Sequence, residues 1–211
     1  MNGFKDPLNT WNQRFAQDGY LFGESPNHYL QQQASQLRPG RALAVADGEG
    51  RNGVWLAEQG LTVDAFDFSP VAIDKARALA KARGVQVNWV CSDWQGFDWQ
   101  PEAWENTVAI FIQFADPATR ATLFRQMKSA LKPDGLILLQ GYTPKQLEYK
   151  TGGPPLVEHL YTEDLLREAF GDMDISEMRF YDAVLHEGSQ HSGQSAVIGM
   201  VARKPFGCNF Q

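Results

Sequence analysis

Apolar residues along the chain recur at two alternating periods, one for strands and one for helices. Residues 41–46 (RALAVA) are short and almost wholly apolar, the pattern of a strand buried on both faces. Residues 47–50 form a tight glycine-rich turn. From Arg51 onward Val54, Leu56 and Ala57 fall at helical spacing, and Gly60 reads as the helix stop. A second strand is predicted over 61–68 (LTVDAFDF), followed by Ser69-Pro70 as cap and first helical residue. That helix carries Val71, Ile73, Ala76, Leu79 and Ala80 to a stop near Gly84. Third and fourth strands are expected over 85–91 and 107–114, with an aromatic connection (Phe97, Trp99, Trp104) between them. An amphipathic helix over 117–131, a turn at 132–135 (KPDG) and an apolar fifth strand over 136–140 complete this part. Regular alternation of strand and helix argues for a doubly wound parallel sheet.

The two ends depart from that rhythm. Before the first strand, Trp11, Phe15 and the stretch 20–22 supply aromatic weight. Ser25-Pro26-Asn27 then looks like a helix start, and Tyr29, Leu30, Ala34 and Leu37 share a face. This arm either packs on the sheet edge or folds Trp11, Arg14 and Tyr20 over a ligand site. After the fifth strand, 143–160 is rich in glycine and proline and too long for an ordinary connection, as lids and binding loops are. A short helix over 162–170 and two strands over 174–185 and 195–203 follow. The link 186–193 between those strands makes them an antiparallel pair. The expected fold is α/β, a doubly wound, Rossmann-like, seven-stranded mixed sheet with an antiparallel C-terminal pair. We expect one domain over 1–211: a helical arm or lid (1–40), a cofactor-binding core (41–142), a substrate-side loop with the antiparallel strands (143–205) and a tail (206–211).

Composition narrows the function classes. With 211 residues and 43% hydrophobic content, the chain supports one substantial core. A formal net charge of −6 argues against a broad basic face for nucleic acid. No apolar run approaches the roughly 18 residues of a membrane span, and no signal-peptide pattern opens the chain. Two cysteines, Cys91 in an expected buried strand and Cys208 in the tail, indicate no disulfide framework. A reducing, cytoplasmic setting is the expectation.

The candidate chemistry gathers at strand ends. Gly48, Gly50 and Gly53 satisfy G-x-G-x-x-G, and Asp67 closes the second strand where ribose hydroxyls would be bound. By itself this pattern also describes an NAD-dependent oxidoreductase. Against that alternative stand a second acid, Asp93, at the end of the third strand, the missing second mononucleotide half, and the lack of a separate substrate domain. A P-loop would need a lysine where Val54 follows Gly53. His186 and His191 are one residue too far apart for a helical zinc-protease pair, and Gly188 disfavours a helix there. No metal site is expected.

The run DGEGRN at 47–52, Asp67 with Phe68-Ser69, Ser92-Asp93-Trp94 and the 131–135 stretch LKPDG resemble class I S-adenosylmethionine-dependent methyltransferases. The whole chain is similar to the tellurite-resistance and thiopurine methyltransferase-like group. Trp11 with Arg14, the 20–23 stretch, Pro26-Asn27, the 151–154 stretch TGGP, and Glu187-Gly188 with His191 and Gly193 carry that finer likeness. The resemblance implies S-adenosyl-L-methionine as cofactor. Gly48 and Gly50 would line its methionine part, with Arg51 and Asn52 beside it. Asp67, next to Ser69, would hold the ribose hydroxyls, and Asp93, after Ser92, would meet the adenine amino group. Phe68 and Trp94 would pack on the ring, Trp11 and Arg14 would close over the cofactor, and the stretch from Phe111 to Gln113 would face the sulfonium. The family's usual acid in the first strand is absent, since Ala44 and Ala46 stand there; Asp47 is the candidate replacement for binding the ammonium group.

Methyl transfer requires an in-line nucleophile in a dry pocket, and a general base only when the acceptor arrives protonated. His191, expected in the link between the last strands, is the candidate base. No Asn/Asp-Pro-Pro-aromatic run follows the fourth strand, which leaves a small-molecule acceptor favoured, with a thiol or chalcogen compound of the tellurite or selenite type leading. The competing possibility is a non-catalytic protein that binds S-adenosylmethionine or S-adenosylhomocysteine. No membrane or nucleic-acid partner is expected, and the sequence leaves the oligomeric state open.

Overall fold

The computed structural model describes residues 6–207; Cys208 and the end of the expected tail lie outside them. Seven strands form one sheet in the order β3-β2-β1-β4-β5-β7-β6. They are β1 (Arg41–Val45), β2 (Thr62–Asp67), β3 (Asn88–Cys91), β4 (Trp104–Ile110), β5 (Leu131–Tyr142), β6 (Asp174–Glu187) and β7 (His191–Arg203). The first five pair in parallel, and β7 joins β5 and β6 antiparallel. The helices are α1 (Pro7–Phe15), α2 (His28–Gln32), α3 (Arg51–Glu58), α4 (Pro70–Arg83), α5 (Pro117–Ala130), α6 (Gln146–Tyr149) and α7 (Glu163–Phe170).

The period-2 alternation of the strands divides the core into two layers. Leu43 and Val45 of β1, Ile137 and Leu139 of β5, and Ile198 and Met200 of β7 face one side, where Leu123, Phe124 and Met127 of α5 cover them. Ala42, Ala44, Leu136, Leu138 and Val201 face the other, under Leu56 of α3 and Leu30 of α2. Close approach on that side depends on Gly199, where a Cβ would come within 2.3 Å of the Tyr29 ring.

Helix ends follow the sequence signals. Ser69 Oγ accepts from the Ala72 amide at the start of α4, Gly84 ends that helix at φ +69°, and Asn27 Oδ1 accepts from the Leu30 amide at the start of α2.

Several expectations are corrected. Cys91 is exposed, because β3 is an edge strand of only four residues, covered incompletely by its neighbours. The 132–135 stretch runs within β5, kinked at Asp134 with φ +62°. The fourth strand begins at Trp104, whose indole Nε1 donates to Asp64 at 2.7 Å. His191 is not in a loop: β6 and β7 extend further than their apolar stretches, and Glu187 and His191 are the last cross-strand pair before a three-residue turn.

Candidate functional site

The chain winds outward from β1 to β2 and β3 on one side, then crosses back to β4 on the other. At such a switch point the carboxyl ends of adjacent strands open a crevice, the usual ligand position in doubly wound sheets. The turn 46–50, Asp67, Ser92-Asp93 and Phe111 all stand at that end. Four residues of this rim, Ala46 (φ 48°), Gly48 (φ 58°), Gly50 (φ 88°) and Phe111 (φ 54°), have left-handed backbone. At Gly50 this is required twice over, since a Cβ would lie 2.7 Å from Ala76 Cβ and from the Trp89 ring.

Two acids stand at the turn, Asp67 buried and Asp47 half-buried. Asp67 Oδ2 accepts from the Gly48 amide at 3.0 Å and Oδ1 from the Ser69 amide at 2.9 Å. Burial outweighs these bonds and pushes its pKa up to about 6. Asp47 Oδ2 accepts from the Gly53 amide at 2.8 Å, inside the first turn of α3, and burial pushes its pKa up to about 7. That oxygen of the proposed ammonium ligand is therefore engaged with its own helix.

Residues 16–27, between α1 and α2, form a strap across the crevice. Lys75 Nζ of α4 donates to the carbonyls of Gln17 (2.7 Å) and Gly19 (2.6 Å) and to Glu49 Oε1 (2.9 Å). Glu49 Oε2 accepts from the Leu21 amide at 2.6 Å. Arg51 Nη1 donates to the Phe22 carbonyl, and the Asn27 amide donates to Asn52 Oδ1 at 2.9 Å. Phe15 at the end of α1 lies over Gly48, 3.5 Å from where a Cβ would stand. Tyr20 turns away from the turn 46–50 to pack on α4, where its hydroxyl donates to the Lys75 carbonyl at 3.2 Å. Trp11 stacks on Phe15 at 5.3 Å, and the Arg14 guanidinium sits 5.1 Å over Trp11.

Beyond Phe111 lies an aromatic box. Its four rings come from the strap (Phe22), the end of β4 (Phe111, φ +54°), β5 (Tyr142) and β7 (His191). The His191 ring centroid lies 4.5 Å from Phe22, 4.3 Å from Phe111 and 5.8 Å from Tyr142. His191 Nδ1 and Tyr142 Oη are buried and have no hydrogen-bond partner among the described residues. Burial draws the His191 pKa below its ordinary value, against the pull of the Glu187 carboxylate.

Other predicted residues are committed elsewhere. Gln113 clamps the Tyr142 backbone, donating to its carbonyl and accepting from its amide, and also donates to the His159 carbonyl. Asp93 is exposed and caps its own turn through the Gln95 and Gly96 amides, while Trp94 packs against the core beside its neighbour Trp99. Ser69 Oγ reaches Asn12 at 2.6 Å, and Ser92 Oγ donates to the Asp93 carbonyl. Phe68 is half-buried beside Asp67. Glu49, Asn27 and Tyr142 carry much of the site's polar structure and were not among the sequence candidates. Their roles depend on partners roughly 25 to over 100 positions away, which no local pattern announces.

Among the described residues no helix is long and apolar enough to cross a membrane, and no group of three His, Cys, Asp or Glu side chains is placed to hold a metal ion. The model of a methyltransferase domain matches residues 42–135. No curated protein matches the chain in sequence. Solved structures resemble it in fold. One, from work on the conversion of a disulfide bond into a thioacetal group during echinomycin biosynthesis, is 17% identical with a TM-score of 0.74, over 91% of this chain and 87% of that one. The N-methyltransferase NodS from Bradyrhizobium japonicum WM9, in complex with S-adenosyl-L-homocysteine, is 15% identical with a TM-score of 0.69, over 94% and 98%. TehB from Haemophilus influenzae is 18% identical with a TM-score of 0.68, over 84% of this chain and 62% of that one. The domain match sets aside the hydride-transfer alternative; residues 42–135 are a methyltransferase domain, and the protein is an S-adenosylmethionine-dependent methyltransferase.

Proposed function

We propose that the protein methylates a small thiol or a related reduced chalcogen compound, with His191 as the base. The observation that carries this reading is the aromatic box beside Phe111, with His191 neutral at physiological pH and the Tyr142 hydroxyl buried without a hydrogen-bond partner among the described residues. Bound S-adenosylmethionine would supply a methyl group already activated on a sulfonium, with the neutral thioether S-adenosylhomocysteine as the leaving group. The residues present fit that group. Asp67 offers a carboxylate at the second strand end, Gly48 and Gly50 keep the turn free of side chains, and Phe68 flanks the place of the base. Trp11 and Phe15 cover the turn from above.

The box asks for an acceptor that is small, apolar and protonated. Aromatic faces suit a polarisable sulfur and tolerate a neighbouring cation. A neutral imidazole can take a thiol proton, which raises the fraction of thiolate at the moment of transfer. The nearest cation, Arg51, is already bound to Glu187 at 2.7 Å, so the box favours a neutral thiol over an oxyanion. The echinomycin-related structure acts in sulfur chemistry by its description, which agrees with this choice. A net charge of −6 agrees with a small acceptor in place of nucleic acid. We assign the protein to the reducing cytoplasm, where free thiols persist, as one domain over 1–211 with its arm at 1–40.

The test is S-adenosylhomocysteine release with benzenethiol, 2-mercaptoethanol, selenite and a primary amine in parallel. Thiols should turn over, and His191→Ala should lower their kcat by about 10²–10³. Turnover of the amine alone would overturn the acceptor class, and an unaffected His191→Ala enzyme would remove the base.

A further inference from the structure

Glu187 is among the most heavily engaged carboxylates in the described structure, and the methyltransferase reading by itself gives it no task. It is 8% exposed, at the end of β6. Oε2 accepts from Arg51 Nη2 at 2.7 Å, and Oε1 accepts from the His28 amide at 3.1 Å. Asn27 Nδ2 reaches both oxygens, at 2.9 and 3.2 Å. Asn27 is itself held by Asn52 and by Gln140 Oε1. These donors come from the strap end, α2 and α3, so the carboxylate can rotate very little.

Its remaining neighbour is His191. The two residues face each other as a cross-strand pair, which puts their side chains on the same side of the hairpin. His191 Nδ1 stands 3.9 Å from Glu187 Oε2, and that nitrogen is buried with no hydrogen-bond partner among the described residues. A buried ring nitrogen without a partner costs free energy unless another state of the ring uses it. Phe22 and Phe111 pack against the ring and hold it at this edge. The other charged or titratable groups around the ring are the Arg51 guanidinium and the Tyr142 hydroxyl.

We propose that Glu187 is the positioning carboxylate of His191. Its fixed charge, 3.9 Å from Nδ1, favours the proton on that nitrogen, leaves Nε2 to receive the acceptor's proton, and stabilises the imidazolium that forms. The step balances: the acceptor's S–H bond breaks, its proton goes to Nε2, its electron pair stays on sulfur for the new bond to carbon, and the proton later leaves to solvent. Because Asn27 and His28 help immobilise Glu187, the pair is in register only while the strap lies across the crevice. The proposal rests on His191 being the base, and the experiment separates the two.

The experiment is an ¹⁵N-imidazole NMR titration of His191 in protein saturated with S-adenosylhomocysteine, assigned by the signal lost in His191→Gln. Glu187→Gln should lower the His191 pKa by about one unit or more, because Arg51 is then left to repel the imidazolium. Glu187→Asp, which keeps the charge one methylene further back, should shift it less. Asn27→Ala, which loosens the strap and keeps the carboxylate, should shift it less than Glu187→Gln. The low-pH limb of kcat/KM for benzenethiol should move to lower pH in Glu187→Gln, with a reduced plateau. An unmoved titration in a folded Glu187→Gln or Glu187→Asp protein overturns the proposal. An unmoved limb with a shifted titration shows that the pair exists and that His191 is not the base.

Discussion

Asp67 and Asp47 both hold their protons more tightly than an ordinary aspartate, at about 6 and about 7 against 3.8. An acid whose pKa is raised by folding contributes stability that is complete below its unfolded value and is lost as pH rises through the folded value. For Asp67 the full difference is on the order of 3 kcal/mol. The cofactor-free protein should therefore lose stability between about pH 4 and about pH 7, and Asp67→Asn should flatten that slope in thermal melts. Cofactor affinity should run the other way. In the proposed binding mode ribose hydroxyls would donate to the ionised carboxylate, so binding should weaken below about pH 6, and calorimetry in two buffers should show a proton released there. Glu187 has the opposite sign. Burial opposes its ionisation, but the nearby His191, Arg51 and His28 hold it at about 2, so its contribution is present above 4.5 and is lost only toward about 2.

A second residue-scale consequence falls on Gly188. It has φ +69°, and a Cβ there would stand 2.3 Å from the Leu21 carbonyl oxygen. The strap crosses the hairpin turn at this point, and the Ser189 amide donates to the same carbonyl. Gly188→Ala should cost about 2–3 kcal/mol, combining left-handed strain with a backbone collision, and should raise the cofactor's dissociation constant as the strap lifts. Urea melts and a binding titration on one preparation check both effects.

At the scale of elements, the strap is fastened by side chains from the turn after β1, from α3 and α4 and from the turn between β6 and β7, and hardly by its own hydrogen bonds. Lys75 is its main clasp on α4, through two carbonyls and the buried Glu49 carboxylate. Lys75→Met keeps the apolar stem and leaves Glu49 uncompensated, at a cost of about 2–4 kcal/mol. Limited proteolysis should then cut within 16–27 well before the sheet is attacked, and S-adenosylhomocysteine should slow that cut. Equal cleavage of variant and parent would mean the strap is held from elsewhere. The helices around the parallel sheet were legible from their caps: Ser69-Pro70, the glycine at 84 and the apolar spacing of α3 and α4 state their own boundaries. The strap was legible only as aromatic weight, because nothing in 16–27 says which distant lysine and glutamate will hold it.

At the scale of the molecule, one sheet carries both halves of the proposed chemistry. The parallel strands deliver the cofactor turn and Asp67, and the antiparallel pair delivers Glu187 and His191 to the same crevice. The whole-domain measurement is a thermal shift. Ligand at a hundredfold its dissociation constant stabilises the native state by roughly 2.7 kcal/mol, a rise on the order of 5 °C for a chain of this size. S-adenosylmethionine and S-adenosylhomocysteine should each produce it, NAD should not, and Asp67→Ala should abolish it. A shift that survives Asp67→Ala would move the ribose contact to another residue.

Periodicity and caps are local properties, and through them the residues alone announced the alternating strands and helices, the glycine turn after β1, the acid at the end of β2 and the antiparallel ending. They work because the backbone of a buried strand or a capped helix must satisfy its hydrogen bonds within a few positions. The end of the hairpin escaped this logic. Its polar residues were read as a loop, because Glu187 and His191 gain their burial from the strap and the aromatic box instead of from an apolar pattern of their own. Folding brought Asn27, Arg51, Glu187 and His191 within a few ångströms of one another across more than 160 positions of chain. A buried charge can be placed only where separate elements converge to supply its donors, and that convergence is a property of the packed sheet.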